Sequence, residues 1–369
     1  MQDAIIAIDQ GTSSTRAVLF DKKFSTIHIE QESINTLYPA NGWVEQDANE
    51  IWDKTLLVTK NIISYAKSKS INILSIGITN QRETIVTWNK ITGEVLYHAI
   101  IWQDRRTKDK CNELILNGLN ETINNKTGLL LDPYFSATKI SWVLDNIDNA
   151  KHLALSDKLC VGTIDTYLLF KLTEGKSFYT DTTNASRTSL YNIHENKWDS
   201  ELLEIFKIPL NILPEVKDNI FEFGVTSKNI TDKSIPIHAM IGDQQSAAIG
   251  QNCFNPGDIK ATFGTGCFIL ANTGKKPLKS KNKLLSTIAY KINNIACYAL
   301  EGSIFTSGST MKWLRDELEI IQNINDSECL AASIKDNNGV YFVPAFTGLG
   351  APHWKPDARG TIAGLTSSS

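Results

Sequence analysis

Asp9-Gln10-Gly11-Thr12-Ser13-Ser14-Thr15-Arg16 is the stretch on which the fold of this 369-residue chain turns. Apolar runs flank it, at residues 4–9 and 15–21, and an alternating run comes next at 25–34. Small polar residues between two strand-like runs predict a strand–turn–strand unit, so the sheet is expected to open antiparallel. A glycine in such a turn lets backbone amides approach a phosphate. The hydroxyls of Thr12, Ser13 and Ser14 would add donors, and Arg16 would add charge. Asp9, at the strand end, can hold a metal ion, for magnesium usually through water. The same residue types equally suit a polar hairpin turn that starts with an acid. The stretch is not a P-loop. Gly175-Lys176-Ser177 has the tail of that motif, but Phe170 stands where its first glycine belongs, so a surface turn is expected there.

Outward from this stretch the pattern is that of an α/β protein. Asp47 is a candidate N-cap with Glu50 three residues on. Ile51, Trp52, Leu56, Thr59, Ile63 and Ala66 then recur at helical spacing. Strands are expected at 73–79, 84–88 and 97–102, and helices around 105–117 and 137–147. Near residue 237 the opening pattern partly repeats. An apolar run ends in Gly242-Asp243, and residues 260–270 read as a strand pair with Gly264-Thr265-Gly266 at its turn. The echo suggests two related nucleotide-gripping halves, divided as 1–240 and 241–369. The terminal Ser367-Ser368-Ser369 is the one low-complexity stretch.

Composition narrows the function classes. Apolar residues make up 42% and charged residues 21%, ordinary for a globular protein with buried cores. A net charge of −3 gives no basic excess for nucleic acid or an anionic membrane. There is no apolar run long enough to span a bilayer and no signal-peptide pattern, so a cytoplasmic location is expected. Cys111, Cys160, Cys253, Cys267, Cys297 and Cys329 lie far apart and form no Cys-x-x-Cys pair; free, mostly buried thiols are expected. The histidines show no His-Glu-x-x-His pattern, which argues against a zinc enzyme.

Four further clusters can carry chemistry. Asn80-Gln81-Arg82-Glu83 comes directly after an apolar strand and sets a charged donor beside a charged acceptor, which suits a polyhydroxyl ligand as well as it suits a solvated turn. Trp102 closes a later strand, where an aromatic ring can cover the carbon side of such a ligand or simply join the core. Asp243, at a strand end before small residues that can begin a helix, is a place for a general base or a helix cap. Gly264-Thr265-Gly266 is a candidate second phosphate turn. Glu301-Gly302-Ser303 and Ser307-Gly308-Ser309-Thr310 read as a loop feeding a helix start, where amides favour anions.

Together these pieces resemble the FGGY family of carbohydrate kinases, and within it the members that act on glycerol, over residues 4–366. The likeness is carried by 134–146 (Tyr134-Phe135-Ser136-Ala137-Thr138-Lys139 onward), by Gly162-Thr163-Ile164-Asp165-Thr166, by 180–188, and by 344–354. The resemblance implies an actin/hexokinase-like, ribonuclease H-like two-domain fold with ATP in the cleft. It implies transfer of the γ-phosphoryl group to the 3-hydroxyl of glycerol. Carried over by position, Thr12, Ser13, Ser14 and Arg16 would meet the phosphates, and Asp9 and Asp243 would serve Mg2+. Arg82, Glu83, Tyr134, Asp243 and Gln244 would bind glycerol, with Trp102 and Phe268 against its carbons and Asp243 as the base. Thr265 and Gly308 would contact ADP; Lys312 stands where relatives often place a nucleotide-contacting Gln. The family continues for roughly another quarter of its length past residue 366, so the resemblance implies a second domain that is incomplete here. Full-length members are commonly homodimers or homotetramers. A remnant without activity, or a kinase for another polyol or a pentulose, stays open at this level.

Overall fold

A computed structural model describes residues 2–367; Met1, Ser368 and Ser369 lie outside the described residues, and with them most of the terminal serine run. The expected strand–turn–strand unit is present. Strand β1 (Gln2–Gln10) pairs antiparallel with β2 (Ser14–Asp21), placing Asp9 opposite Arg16, and β2 pairs with β3 (Thr26–Ser33). On the other side of β1 the sheet turns parallel. It continues through β4 (Ile71–Asn80) to β6 (Pro236–Gly242), and β5 (Ile220–Val225) closes that edge antiparallel. The order is therefore β5-β6-β4-β1-β2-β3.

Alternation along β1 sends Ala4, Ile6 and Ile8 into the core. There they join Ile51, Val58 and Ile62 of helix α1 (Ala48–Ser68), whose apolar residues recur three and four apart as a helix lying on a sheet requires. Asp47 caps α1 as expected, accepting from the Asn49 amide at 2.8 Å. Glu50 does not complete a capping box. Its carboxylate accepts from the Asn35 side chain at 2.9 Å and so ties the chain leaving β3 to the helix start.

A small antiparallel sheet comes next, ordered Glu45–Gln46, Val95–Ile100, Ile85–Asn89, Leu159–Thr163. Helix α2 (Ser136–Asn146) packs on it through Ile140, Val143 and Leu144. Trp102 falls two residues past the strand expected to include it, because the chain turns at Ile101, whose carbonyl accepts from the Asp104 amide. Gly175 and Lys176 form the expected exposed turn.

The second large sheet is antiparallel throughout: β7 (Ile259–Phe263), β8 (Cys267–Gly274), β9 (Leu285–Ile292) and β10 (Ile295–Ile304), in the order β7-β8-β10-β9. Helix α3 (Asp243–Gly250) leaves the end of β6 and lies against this sheet, where Ala248 packs with Leu270, Ala289 and Ala299. Helix α4 (Gly308–Asp316) comes after β10. The segment 301–303, expected as a loop, is instead the last part of β10. Five cysteines are buried and free, and Cys329 is free and exposed. Among the described residues no helix is long and apolar enough to cross a membrane.

Loss of the α1 cap gives a local test. Asp47→Ala should lower stability by about 1 kcal/mol, the usual worth of a side-chain N-cap. Urea unfolding measures it, and an unchanged midpoint would show that the cap hydrogen bond carries no weight.

Candidate active site

Three parallel strands stop at the same level. Gln10 of β1, Asn80 of β4 and Gly242 of β6 are register partners at their C-terminal ends. The chain leaving each of these strands therefore opens onto one crevice, where ligands of open parallel sheets bind. These continuations are Gly11-Thr12-Ser13, Gln81-Arg82-Glu83 and Asp243-Gln244. The turn joining β7 to β8, Gly264-Thr265-Gly266, faces them from the second sheet. A cavity of about 170 Å3 is lined by Thr12, Ser13, Arg82, Glu83, Asp243 and Gln244, among others, and by that second turn.

The floor of the crevice is a buried charge cluster. The Arg82 guanidinium makes two near-parallel bonds to Glu301, Nη1 to Oε2 at 2.6 Å and Nη2 to Oε1 at 2.9 Å, and Nη1 also reaches Gln245 at 3.1 Å. Arg187 donates from Nε to Glu83 at 2.6 Å and from Nη2 to Glu301 at 3.1 Å. All four side chains are almost completely removed from solvent. Burial alone would raise the Glu301 carboxyl, but Arg187 and Arg82 hold it down to about 2. Gly242 has no room for a side chain, since a Cβ there would stand 2.7 Å from Cδ of Arg82.

Asp243 sits at the edge of this cluster with about a third of its side chain open, its Oδ1 3.3 Å from Arg82 Nε. It occupies the first helical position of α3, with Gly242 at the cap, and Oδ1 accepts from the Gln244 amide at 2.8 Å. Burial pushes its carboxyl up to about 6 against the pull of Arg82; Glu83 and Asp9 act in the same upward direction. Gln244 accepts from Lys260, a buried β7 lysine pushed down to about 8 by desolvation and by nearby Arg82.

The opposite wall is aromatic. Trp102, Tyr134 and Phe268 line the cavity, with ring centroids 5.6 Å apart for Trp102–Phe268 and 6.0 Å for Trp102–Tyr134. Trp102 is more than a packing face: its Nε1 donates to Thr12 Oγ1 at 2.8 Å and so fixes the first turn. Gln46, at the edge of the small sheet, accepts from Gln81 at 2.8 Å and donates to the Thr12 carbonyl at 2.5 Å.

Each turn closes its hairpin with a glycine amide, Gly11 to the Ser14 carbonyl three residues on and Gly264 to the Gly266 carbonyl two residues on, both at 2.9 Å. The second turn is braced by the start of α4. The Gly308 amide donates to Gly264 and the Ser309 hydroxyl to Thr265, and a Cβ at Gly308 would stand 2.6 Å from the Gly264 oxygen. Asp9, Ser14, Arg16, Gly308 and Lys312 do not line the cavity. Ser14 accepts from Gln31, Arg16 is ion-paired with Asp9 at 2.6 Å, and Lys312 lies one turn into α4. Among the described residues no group of three or more His, Cys, Asp or Glu could hold a metal ion unaided.

The roles of three participants escape the sequence reading: Arg187 and Lys260 have no site assignment there, and Glu301 stands only at the head of an expected loop. The available signal for Glu301 is a lone acid in an otherwise apolar alternating run; its partner Arg82 lies 219 residues away.

The fold and the crevice together are those of a phosphotransferase with a two-domain nucleotide cleft. The model of the FGGY family of carbohydrate kinases, N-terminal domain, matches residues 4–250, and that of its C-terminal domain matches residues 259–369. The chain belongs to the FGGY family of carbohydrate kinases. It is 52% identical over 370 aligned positions to a glycerol kinase of Coxiella burnetii, covering 100% of this chain and 74% of the relative. To a glycerol kinase of Sinorhizobium fredii it is 53% identical, covering 99% and 73%. The structure of Plasmodium falciparum glycerol kinase with ADP superposes with a TM-score of 0.88 at 40% identity, covering 100% of this chain and 74% of that one. A xylulose kinase from Lactobacillus acidophilus, 23% identical over 99% of this chain and 73% of its own, shares the fold with a TM-score of 0.84.

Removal of one arginine tests the charge cluster. Arg187→Met leaves Glu83 and Glu301 short of a counter-charge, and should lower stability by about 3–5 kcal/mol, as for a broken buried pair. Urea unfolding at neutral pH reads it; a loss below about 1 kcal/mol, the range of exposed pairs, would contradict the assignment. Glu301 titrates near 2 in the fold, below the ordinary ~4.3 of a free glutamate. Its contribution is thus present above about pH 4 and lost as the pH falls towards 2.

Proposed function

We propose that this chain transfers the γ-phosphoryl group of ATP to the terminal hydroxyl of glycerol, giving sn-glycerol 3-phosphate and ADP. One observation carries the reading: a single small cavity joins a strand-end carboxylate, Asp243, to a buried Arg–Glu pair, an aromatic wall and two facing glycine–threonine turns. The 52–53% identity to glycerol kinases supports the same acceptor.

In this reading Arg82 donates to, and Glu83 accepts from, neighbouring hydroxyls, while Trp102, Tyr134 and Phe268 cover the carbon side. The hydroxyls of Thr12, Ser13 and Thr265 face the phosphates, while the Gly11 and Gly264 amides are spent closing their own turns. Ser14, Arg16, Gly308 and Lys312, which stand back from the cavity, would reach the nucleotide only from its rim or by bracing the turns. A bond forms between the acceptor oxygen and the γ-phosphorus as the bond to the bridging β–γ oxygen breaks. The acceptor proton passes to Asp243, and ADP leaves with the bond electrons. A carboxyl raised to about 6 is mostly ionised at neutral pH, yet basic enough to take that proton.

Asp9 and Asp243 suit Mg2+, which is bound through one or two carboxylates with water and phosphate oxygens completing its octahedron. Asp9 is held by Arg16 at 2.6 Å and does not itself line the cavity, so it would serve such a cation from behind the first turn. Mg2+ would supply charge neutralisation at the phosphates.

A coupled assay of ADP release with glycerol and Mg·ATP tests the reaction. Turnover should fall about 100- to 10,000-fold in Asp243→Asn, as for a positioned general base. Unchanged turnover would remove that role, and turnover with a pentulose but not with glycerol would reassign the acceptor.

A further inference from the structure

Glu83 holds a backbone conformation that its side chain disfavours. Its φ is +60°, and the Thr84 amide donates to the Arg82 carbonyl at 2.7 Å, closing a three-residue turn with Glu83 in the middle. Turns of this hand are rare and strained in residues with a Cβ, and such strain persists only where the surroundings over-determine it. Here the surroundings do so from both ends of the residue. Arg187 holds the carboxylate, as described above. The carbonyl accepts two bonds, from Ser136 Oγ and from Lys139 Nζ, each at 3.1 Å.

Lys139 is an unusual choice for that task. It is fully buried, and among the described residues its ammonium group has no carboxylate within ion-pair distance. Its second bond goes to the Tyr134 carbonyl at 2.8 Å. Nζ therefore bridges the backbones of two cavity-lining residues, Glu83 from β4's continuation and Tyr134 from the loop before α2, without itself reaching the cavity. An apolar side chain would fill the same volume but would take this donor from the Tyr134 carbonyl and leave the Glu83 carbonyl to Ser136 alone. Desolvation pushes the amine down to about 7, outweighing the pull of Glu83. A neutral amine still offers two N–H groups for the two carbonyls, so the bridge does not depend on the charge.

We propose that Lys139, seconded by Ser136, is a positioning residue that locks the strained Glu83 turn against Tyr134 and thereby sets the geometry in which Arg82 and Glu83 meet the acceptor hydroxyls. The inference rests on reading the cavity as the acceptor site. It assigns to a residue that touches no substrate a share of the affinity for one of the two substrates. Release of the turn lets Glu83 relax towards ordinary backbone angles, which moves its carboxylate away from the cavity. The second nucleotide turn hangs on the start of α4 and is not released with it, whereas the first is tied through Gln46 and Trp102 to Gln81 and Thr84, on either side of Arg82 and Glu83.

The test is calorimetric titration of wild type, Lys139→Met, Lys139→Gln and Ser136→Ala with glycerol and, separately, with ADP. Lys139→Met should weaken glycerol binding about tenfold or more, on the scale of a lost buried hydrogen bond, with a clearly smaller loss of ADP binding. Lys139→Gln, whose amide again carries two N–H groups, should recover part of that loss. Ser136→Ala, a change of one oxygen atom, should show a smaller loss in the same direction; it decides the matter if Lys139→Met does not fold. Wild-type glycerol affinity in Lys139→Met or in Ser136→Ala overturns the proposal. So does an equal loss of glycerol and ADP binding, or a Gln variant no better than Met, because a merely structural lysine would behave in those ways. A wild-type protein that binds ADP but not glycerol overturns the acceptor reading and this inference with it.

Discussion

Two arginines and two glutamates, Arg82, Arg187, Glu83 and Glu301, are buried together beneath the crevice. Neutrality there needs both sheets. Glu301 comes from the second sheet's β10, Arg82 and Glu83 from the end of β4 in the first, and Arg187 from the turn just after the short helix Thr182–Ala185. A buried charge without its partner is far more unfavourable than an exposed one, so any arrangement that separates the sheets strands at least one ion. The cluster therefore acts less as a source of stability than as a condition on how the two sheets meet. Its geometry is bidentate at Arg82, which fixes angle as well as distance.

That condition is what makes the crevice useful. The three parallel strands of the first sheet bring a turn, an Arg–Glu pair and an acid to one level, a consequence of register alone. None of these could bind a phosphorylated ligand without a second surface. The second sheet supplies it by presenting its own hairpin turn, and the ion cluster decides where that turn stands. Asp243 is placed between the two systems. It begins the helix that crosses from one sheet to the other, and it feels Arg82 on one side and the low-dielectric surroundings on the other, which is why its proton affinity is raised rather than lowered.

Legibility in the sequence tracks the range of the interaction. The hairpin at Gly11 is readable because glycine and small hydroxyl residues between two alternating runs have few other structural uses. The α1 cap is readable at Asp47 for the same reason, but its partner is not: Glu50 turns to Asn35, fifteen residues back, instead of to its own helix. Arg82, Glu83 and Asp243 stand out as charges at strand ends, although residue types alone do not separate a binding site from a solvated turn. Glu301 reads as loop because Gly302 and Ser303 come directly after it, whereas β10 keeps its alternation through them. Arg187 and Lys139 lie in segments that carry the family likeness, but nothing local shows that they are buried or what they hold. Their partners are 104 and 56 residues distant in sequence, and a buried cation looks like any surface cation until the fold is known.

Gly242 shows how little tolerance this arrangement leaves. Its backbone angles are ordinary, so the requirement for glycine is one of space, created by the stem of Arg82 passing over it. A single methyl group would displace the arginine, and the arginine would take Glu301 with it. The smallest available side-chain change is converted from a packing fault in one sheet into an electrostatic fault in the other.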